Sequence, residues 1–415
     1  SYKMEDVYKV IDDIHMQNIN QLVDKIDRVL QSDDHDALFM LGETLYKYGI
    51  VDQGVKIFEE LYMLYPDENE VLVYYVEGLI DQNELDRAHE VLFNSPTSTK
   101  KLMLEADLYQ QQGLFEVGIE KLIEAKEIEP DDMVITFALA EMYYYDGQYL
   151  KAIRNYESIV QTGEDIINGI SIYARMADSS LQSGAYEEAV KYYEYVSEMD
   201  MTVEDYFKQA ISYQKNELTQ EAIKQLEKLL HKDPDFMQAY HYLLQIYESE
   251  KDYEKAIEIG KEGLRLNAYY KELMTDTARL MLTTNDEHGA LLLQDALTVD
   301  PSYTEAAILL ADYYREKDNT TGLINLLTYI DEDDIDPIVA WHIAYAFGIE
   351  ERDKEAQHFY DLAYPDLTQN IDFLNDYYHY LIEIGQIATA KNILESIRKI
   401  DPENPYWDQE LERLQ

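Results

Sequence analysis

Small residues recur along this chain at a nearly constant interval, and that interval restricts the fold more than any single motif does. Gly54, Ala88, Gly118, Ala152, Ala189, Ala222, Ala256, Gly289, Leu323, Ala356 and Ala390 lie 34, 30, 34, 37, 33, 34, 33, 34, 33 and 34 residues apart. All but Leu323 are Ala or Gly. Twelve residues before these anchors stands a second small series: Gly42, Ala106, Ala140, Ala177, Ala210, Ala311 and Ala344. Five before them stand Gly49, Gly113, Gly147, Gly184 and Gly385, and twelve after them Pro66, Pro130, Pro234, Pro301 and Pro402. Large apolar residues fall between at helical spacing, as Leu139, Tyr143, Ile153, Tyr156 and Ile159 do around Ala152. Small residues let two helices approach closely, glycine supplies a tight helix end, and proline opens the next unit. Each unit is therefore expected to be a helical hairpin that cannot bury its apolar faces alone and must stack on its neighbours.

The segments GETLYKYGIVDQGVKIFEELYMLYP (Gly42–Pro66) and ADLYQQQGLFEVGIEKLIEAKEIEP (Ala106–Pro130) carry the pattern well, and in them the chain resembles the tetratricopeptide-repeat family. The resemblance covers 35–402 as about eleven repeats, one per anchor. It implies an all-α fold, a right-handed superhelical solenoid of stacked hairpins. Val76, Thr277 and Leu323 depart from it where small residues are expected, and one unit ends early at Pro96. Residues 1–34 have helical periodicity without the small-residue signature and are expected to form an N-terminal cap or degenerate repeat. Residues 403–415, opened by Pro405, are expected to form a C-terminal capping helix. NSPTSTK (Asn94–Lys100) and QTGEDIING (Gln161–Gly169) interrupt the period and are expected to bend the array without dividing it into domains.

Composition narrows the partners. With 84 acidic and 34 basic residues the chain carries a net charge of −50, which repels nucleic acid and anionic membrane surfaces and favours basic partners. No cysteine is present, so disulfides, thiolate catalysis and zinc–thiolate sites are excluded. SYKMEDVYKVIDDI lacks the apolar core of a secretory signal, and no apolar run reaches the ~18 residues of a membrane span. A cytoplasmic location is the expectation. Together with the abundance of Tyr, Ile, Asp and Lys, these features resemble the cytosolic YpiA-type repeat proteins of low-GC Gram-positive bacteria.

Many of the 38 tyrosines occupy shared repeat positions: Tyr143 nine before an anchor, Tyr149 three before it, Tyr156 four after it. These are expected to pack with the hydroxyl near an edge. Tyr144 and Tyr145 have no such recurring place. The family resemblance implies that the first helix of each hairpin lines a concave groove. Positions fifteen, eleven and eight before each anchor share one face of that helix. The first of these positions holds Phe39, Val73, Met103, Phe137, Ala174 and Phe207. The second holds Glu43, Glu77, Asp107, Glu141 and Asp178 in five consecutive repeats, and the third includes Tyr46, Gln110 and Tyr144. This carboxylate ladder beside apolar residues is the expected partner-binding groove, suited to an extended or helical segment with basic residues. The Lys and Asn clamp that some family members use for a C-terminal carboxylate is replaced here by acids, and an asparagine ladder is absent.

Catalytic and cofactor signatures are missing. No GxGxxG or Walker-type stretch occurs, EIGKEG (Glu258–Gly263) lacking the upstream glycine, and HEVLF (His89–Phe93) fails the HExxH pattern at its last residue. The acidic run DEDDID (Asp331–Asp336) lacks the alternation and glycine of a calcium loop. No cofactor or metal is expected. The expected function is a non-catalytic scaffold or adaptor holding a protein or peptide, with no nucleic acid and no membrane insertion. The alternatives are a self-assembling structural solenoid, with PYWDQELERLQ (Pro405–Gln415) pairing with a neighbour, and a peptide-sensing regulator.

Overall fold

The computed structural model describes residues 6–415 and shows a chain of helices in two compact units, one ending at Leu218 and the other running Thr219–Gln415. The first unit opens with two short helices, α1 (Val7–His15) and α2 (Leu22–Val29), and α1 packs on the helix that follows. The first five residues of the expected cap lie outside the described residues. Five hairpins come next. They are α3/α4 (His35–Lys47, Val51–Leu64), α5/α6 (Asn69–Asp81, Leu85–Phe93) and α7/α8 (Thr99–Gln111, Phe115–Ile128). Then come α9/α10 (Met133–Tyr145, Tyr149–Val160) and α11/α12 (Ile172–Gln182, Tyr186–Glu194), and α13 (Val203–Lys215) ends the unit. Between α10 and α11 sit two short antiparallel strands, β1 (Ile166–Ile167) and β2 (Ile170–Ser171).

The second unit begins with α14 (Thr219–Lys232) and continues as α15/α16 (Met237–Ser249, Tyr253–Leu266) and α17/α18 (Lys271–Thr283, Gly289–Val299). The hairpins α19/α20 (Thr304–Glu316, Thr320–Asn325), α21/α22 (Pro337–Ile349, Asp353–Ala363) and α23/α24 (Ile371–Glu383, Ile387–Ile400) follow, and α25 (Pro405–Leu414) closes the chain. The division between units falls at neither sequence interruption. It lies between the two helices of the repeat anchored on Ala222.

The α9/α10 hairpin shows how the repeat is built. Asp132 caps α9 by accepting from the Val134 amide, and the helix ends where Gly147 turns left-handed at φ 79°. The Gln148 amide then reaches back to the Tyr143 carbonyl at 2.9 Å, reversing the chain within three residues. Ala140 and Ala152, both fully buried, set the close helix contact, and Tyr156 fills the space beside them. Tyr156 departs from expectation: its hydroxyl lies at no edge but is buried and donates to Glu141.

Irregular repeats are compensated by their neighbours. Thr277, fully buried, stands where a small residue is expected, and the facing α16 carries Gly260 at the place other repeats give to Leu, Tyr or Phe. A Cβ on Gly260 would run into the Thr277 side chain. Where Leu323 replaces the small anchor, the close approach moves one residue to Gly322, whose Cβ would fall 2.7 Å from the Tyr314 ring. The helix there is cut to six residues and continues as a 3₁₀ turn. The acidic run is used for capping: Asp331 accepts from the Asp333 amide and Asp336 from the Ile338 amide that starts α21. No helix among the described residues is long and apolar enough to cross a membrane.

Candidate functional site

The first helices of the hairpins in the leading unit carry the five ladder carboxylates, and the structure gives each a different environment. What decides it is the residue fourteen before the next anchor, which faces the carboxylate from the following repeat. Tyr74 holds that place opposite Glu43 and donates its hydroxyl at 2.9 Å. Arg175 holds it opposite Glu141, donating from Nε at 2.9 Å and Nη2 at 3.2 Å in a two-pronged pair. Lys208 holds it opposite Asp178, with Nζ 3.0 Å from the carboxylate. The same register recurs in the second unit, where His342 lies 3.1 Å from Asp312. Opposite Glu77 and Asp107 the place is taken by Leu104 and Ala138, which offer no donor. Among the described residues no hydrogen bond or ion pair reaches the side-chain carboxylate of Glu77 or Asp107.

The paired acids are built into the fold. Glu141 also accepts from Tyr156, and burial and then the Glu141 charge hold that phenol far above its ordinary pKa. Burial works against the Arg175 charge, but the pairing with Glu141 outweighs it and raises its pKa. The guanidinium lies 4.7 Å from the Tyr144 ring centre and donates to the Tyr145 hydroxyl at 3.1 Å. Asp178 is 4 % exposed and accepts from Tyr144 and Gln182 as well as Lys208. Tyr144 and Tyr145 thus complete an intrachain network around Arg175.

The residues from the first hairpin also close on themselves. Phe39 stands edge-on to Phe58 and Tyr74, with ring centres 5.5 and 5.3 Å apart. Tyr46 donates to the Tyr74 carbonyl at 2.8 Å, and a Cβ on Gly78 would collide with its hydroxyl. Phe207 lies half-buried on α13. None of these lines the cavity formed by the ladder residues of the next three hairpins.

The remaining ladder positions converge. Val73, Met103 and Phe137 floor a cavity of about 470 Å³ among α5, α7 and α9, with Glu77, Asp107, Gln110 and Glu141 on its walls. Both unpaired carboxyls keep contact with water, yet their pKa values are raised. For Glu77 the cause is partial burial and then the Asp107 charge, with Lys100 opposing. For Asp107 it is partial burial alone. Such a site favours a cation that brings apolar surface with it, since that cation would relieve both the repulsion and the lost hydration.

Two polar lining residues were not anticipated. Lys100, in the first turn of α7, stands in the wall, and Asn168, at the tip of the β1–β2 hairpin, borders the same space. The hairpin had a sequence signal in the Asn-Gly dipeptide between Ile166-Ile167 and Ile170. The candidate site therefore brings together seven of the fourteen residues expected along the groove face with these two polar newcomers. Among the described residues no group of three or more His, Cys, Asp or Glu is placed to hold a metal ion.

Comparison with known proteins is consistent across the chain. A family described as YpiA-like, tetratricopeptide repeats, matches residues 110–164, and its companion, YpiA-like, C-terminal tetratricopeptide repeats, matches 337–404. General tetratricopeptide-repeat families match 36–68 and 207–270. The chain is 33 % identical over 383 residues to the TPR repeat-containing protein YpiA of Bacillus subtilis (strain 168), covering 90 % of each. Among solved structures, a tetratricopeptide repeat protein from Parabacteroides merdae ATCC 43184 is similar with a TM-score of 0.41 and 17 % identity, covering 60 % of this chain and 98 % of that one. The Naa15/Naa10 complex bound to HypK-THB gives a TM-score of 0.39 at 16 % identity, covering 99 % of this chain and 65 % of that one.

Proposed function

This chain belongs to the YpiA-like family of tetratricopeptide-repeat proteins, and on that premise we propose that it works by holding a partner protein through the cavity between α5, α7 and α9. The partner presents a lysine or arginine to Glu77 and Asp107 and seats an adjoining apolar side chain on Val73, Met103 and Phe137. One observation carries this reading: of five successive inner-face carboxylates, these two alone face apolar residues across the repeat boundary, and they share a cavity. A carboxylate already tied to a guanidinium has little to offer a second cation, so Glu141 and Asp178 serve the scaffold. The chemistry of any reaction belongs to the partners.

The test uses a fluorescein-labelled pool of octapeptides with Lys or Arg at the fourth position and apolar residues beside it. Glu77→Gln combined with Asp107→Asn is expected to weaken binding about tenfold or more, the scale of losing a partly buried charge pair. Ala138→Arg tests the same idea from the other side. It copies the place of Arg175 one repeat earlier, supplies Asp107 with an intrachain partner, and should block the pool while the fold remains intact. Glu120→Gln with Glu127→Gln, exposed on α8, should change nothing. Equal binding by all four proteins would refute the proposal.

A further inference from the structure

Among the described residues the β1–β2 hairpin exists in one repeat only, and its placement bears on what the cavity accepts. It accounts for the 37-residue step between Ala152 and Ala189, where neighbouring steps are 33 or 34. Ile166 pairs with Ser171 and Ile167 with Ile170, leaving Asn168 and Gly169 as a two-residue turn with φ of 52° and 77°. The hairpin is fixed at its base. Ile167 and Ile170 pack on the core beneath α9, and Ser171 caps α11 by accepting from the Ala174 amide at 3.2 Å. This tether holds the tip in place beside the cavity.

Asn168 at that tip is exposed, borders the cavity of Glu77 and Asp107, and has no side-chain hydrogen bond among the described residues. A carboxamide is both donor and acceptor, the match for a peptide backbone whose N–H and C=O are free. A helical ligand has already spent those groups on itself. The cavity, at about 470 Å³, is also only about the volume of one helical turn with its side chains, and a lone turn is unfavourable to form.

We propose that the β1–β2 hairpin is the specificity element of this site, Asn168 pairing with the backbone of an extended segment whose basic side chain lies between Glu77 and Asp107. The inference rests on the cavity being the partner site, and deepens that reading by fixing the ligand's conformation. It gives this one repeat a selectivity that the others, lacking the insertion, do not share.

The experiment uses the full chain and the tightest-binding octapeptide of the pool, followed by fluorescence anisotropy. Asn168→Gly removes the carboxamide but keeps a residue at ease with positive φ, so the turn survives. It should weaken the peptide roughly fivefold, the scale of one or two hydrogen bonds. Methylating the peptide's backbone nitrogens one at a time should find a position that costs wild type a similar factor and costs the Asn168→Gly protein nothing further. A hydrocarbon-stapled helical version should bind more weakly than the linear one. If Glu77→Gln with Asp107→Asn abolishes binding while Asn168→Gly and methylation do not matter, or if the stapled helix binds best, the hairpin inference is overturned and the cavity reading stands. If the pool does not bind at all, both fall.

Discussion

Glu141 and Asp107 occupy the same place in adjacent repeats, yet one is tied to Arg175 and the other faces Ala138. Removing the guanidinium should therefore have a cost that has nothing to do with partners. Arg175→Ala leaves Glu141 partly buried with only the Tyr156 hydroxyl, and is expected to destabilise the first unit by about 2 kcal/mol. Replacing both members, Arg175→Met with Glu141→Leu, should recover most of that in urea unfolding. Glu77 and Asp107 behave oppositely. Their raised pKa values mean the folded chain binds protons more readily than the unfolded one. Their contribution to stability is thus favourable at low pH and is lost as pH rises through those raised values. A cationic partner needs both ionised, so octapeptide affinity should fall as the solution is acidified, starting at a higher pH than ordinary carboxylates would give. A pH-independent affinity would count against their role. The ladder was legible in the sequence because each column recurs at the repeat period. Which of its members were already occupied was not, because that information lies between columns. Glu141 must be read with Arg175, and Asp178 with Lys208, three positions out of step and one repeat on.

At the scale of elements, the hairpins were legible wherever glycine marked the turn. The same left-handed turn is also made by Asn83, Glu217, Lys251, Asp318 and Glu351, five residues before their anchors. Packing of the flanking helices imposes that conformation on side chains that would otherwise avoid it. Glu351, exposed at φ 60°, is the clearest case. Glu351→Gly should stabilise the second unit by roughly 0.5–1 kcal/mol, the relieved backbone strain exceeding the added chain entropy. An unchanged thermal midpoint would mean the turn carries no strain. Thr277 and Leu323 broke the pattern in sequence because their compensations, Gly260 and Gly322, lie outside the anchor columns. The β1–β2 hairpin went unrecognised for a different reason: four strand residues are invisible to a search for helical period, although Asn168-Gly169 states the turn plainly.

For the whole molecule, period and charge were the readable quantities. Eleven weak copies of one pattern sum to a strong statement of fold, whereas a charge of −50 speaks of solubility and partner sign without locating a site. The charge does make a prediction in which two observables move apart. Raising salt from about 20 mM to about 500 mM should screen self-repulsion and raise the thermal midpoint, while weakening the basic octapeptide. Movement of both in one direction would mean that local pairs, such as Arg279 with Glu248, dominate over the global field. The division of the chain was not legible, because it follows packing and not the motif. It separates α13 from α14, the two halves of a single sequence repeat. The sequence repeat and the compact unit are thus half a period out of phase at this boundary. A lineage that lengthens or shortens such an array by whole sequence repeats always leaves a helix from an old neighbour facing one from a new neighbour. Register pairs like Glu141 and Arg175, which straddle the junction of two sequence repeats, are where each such rearrangement must be proofread.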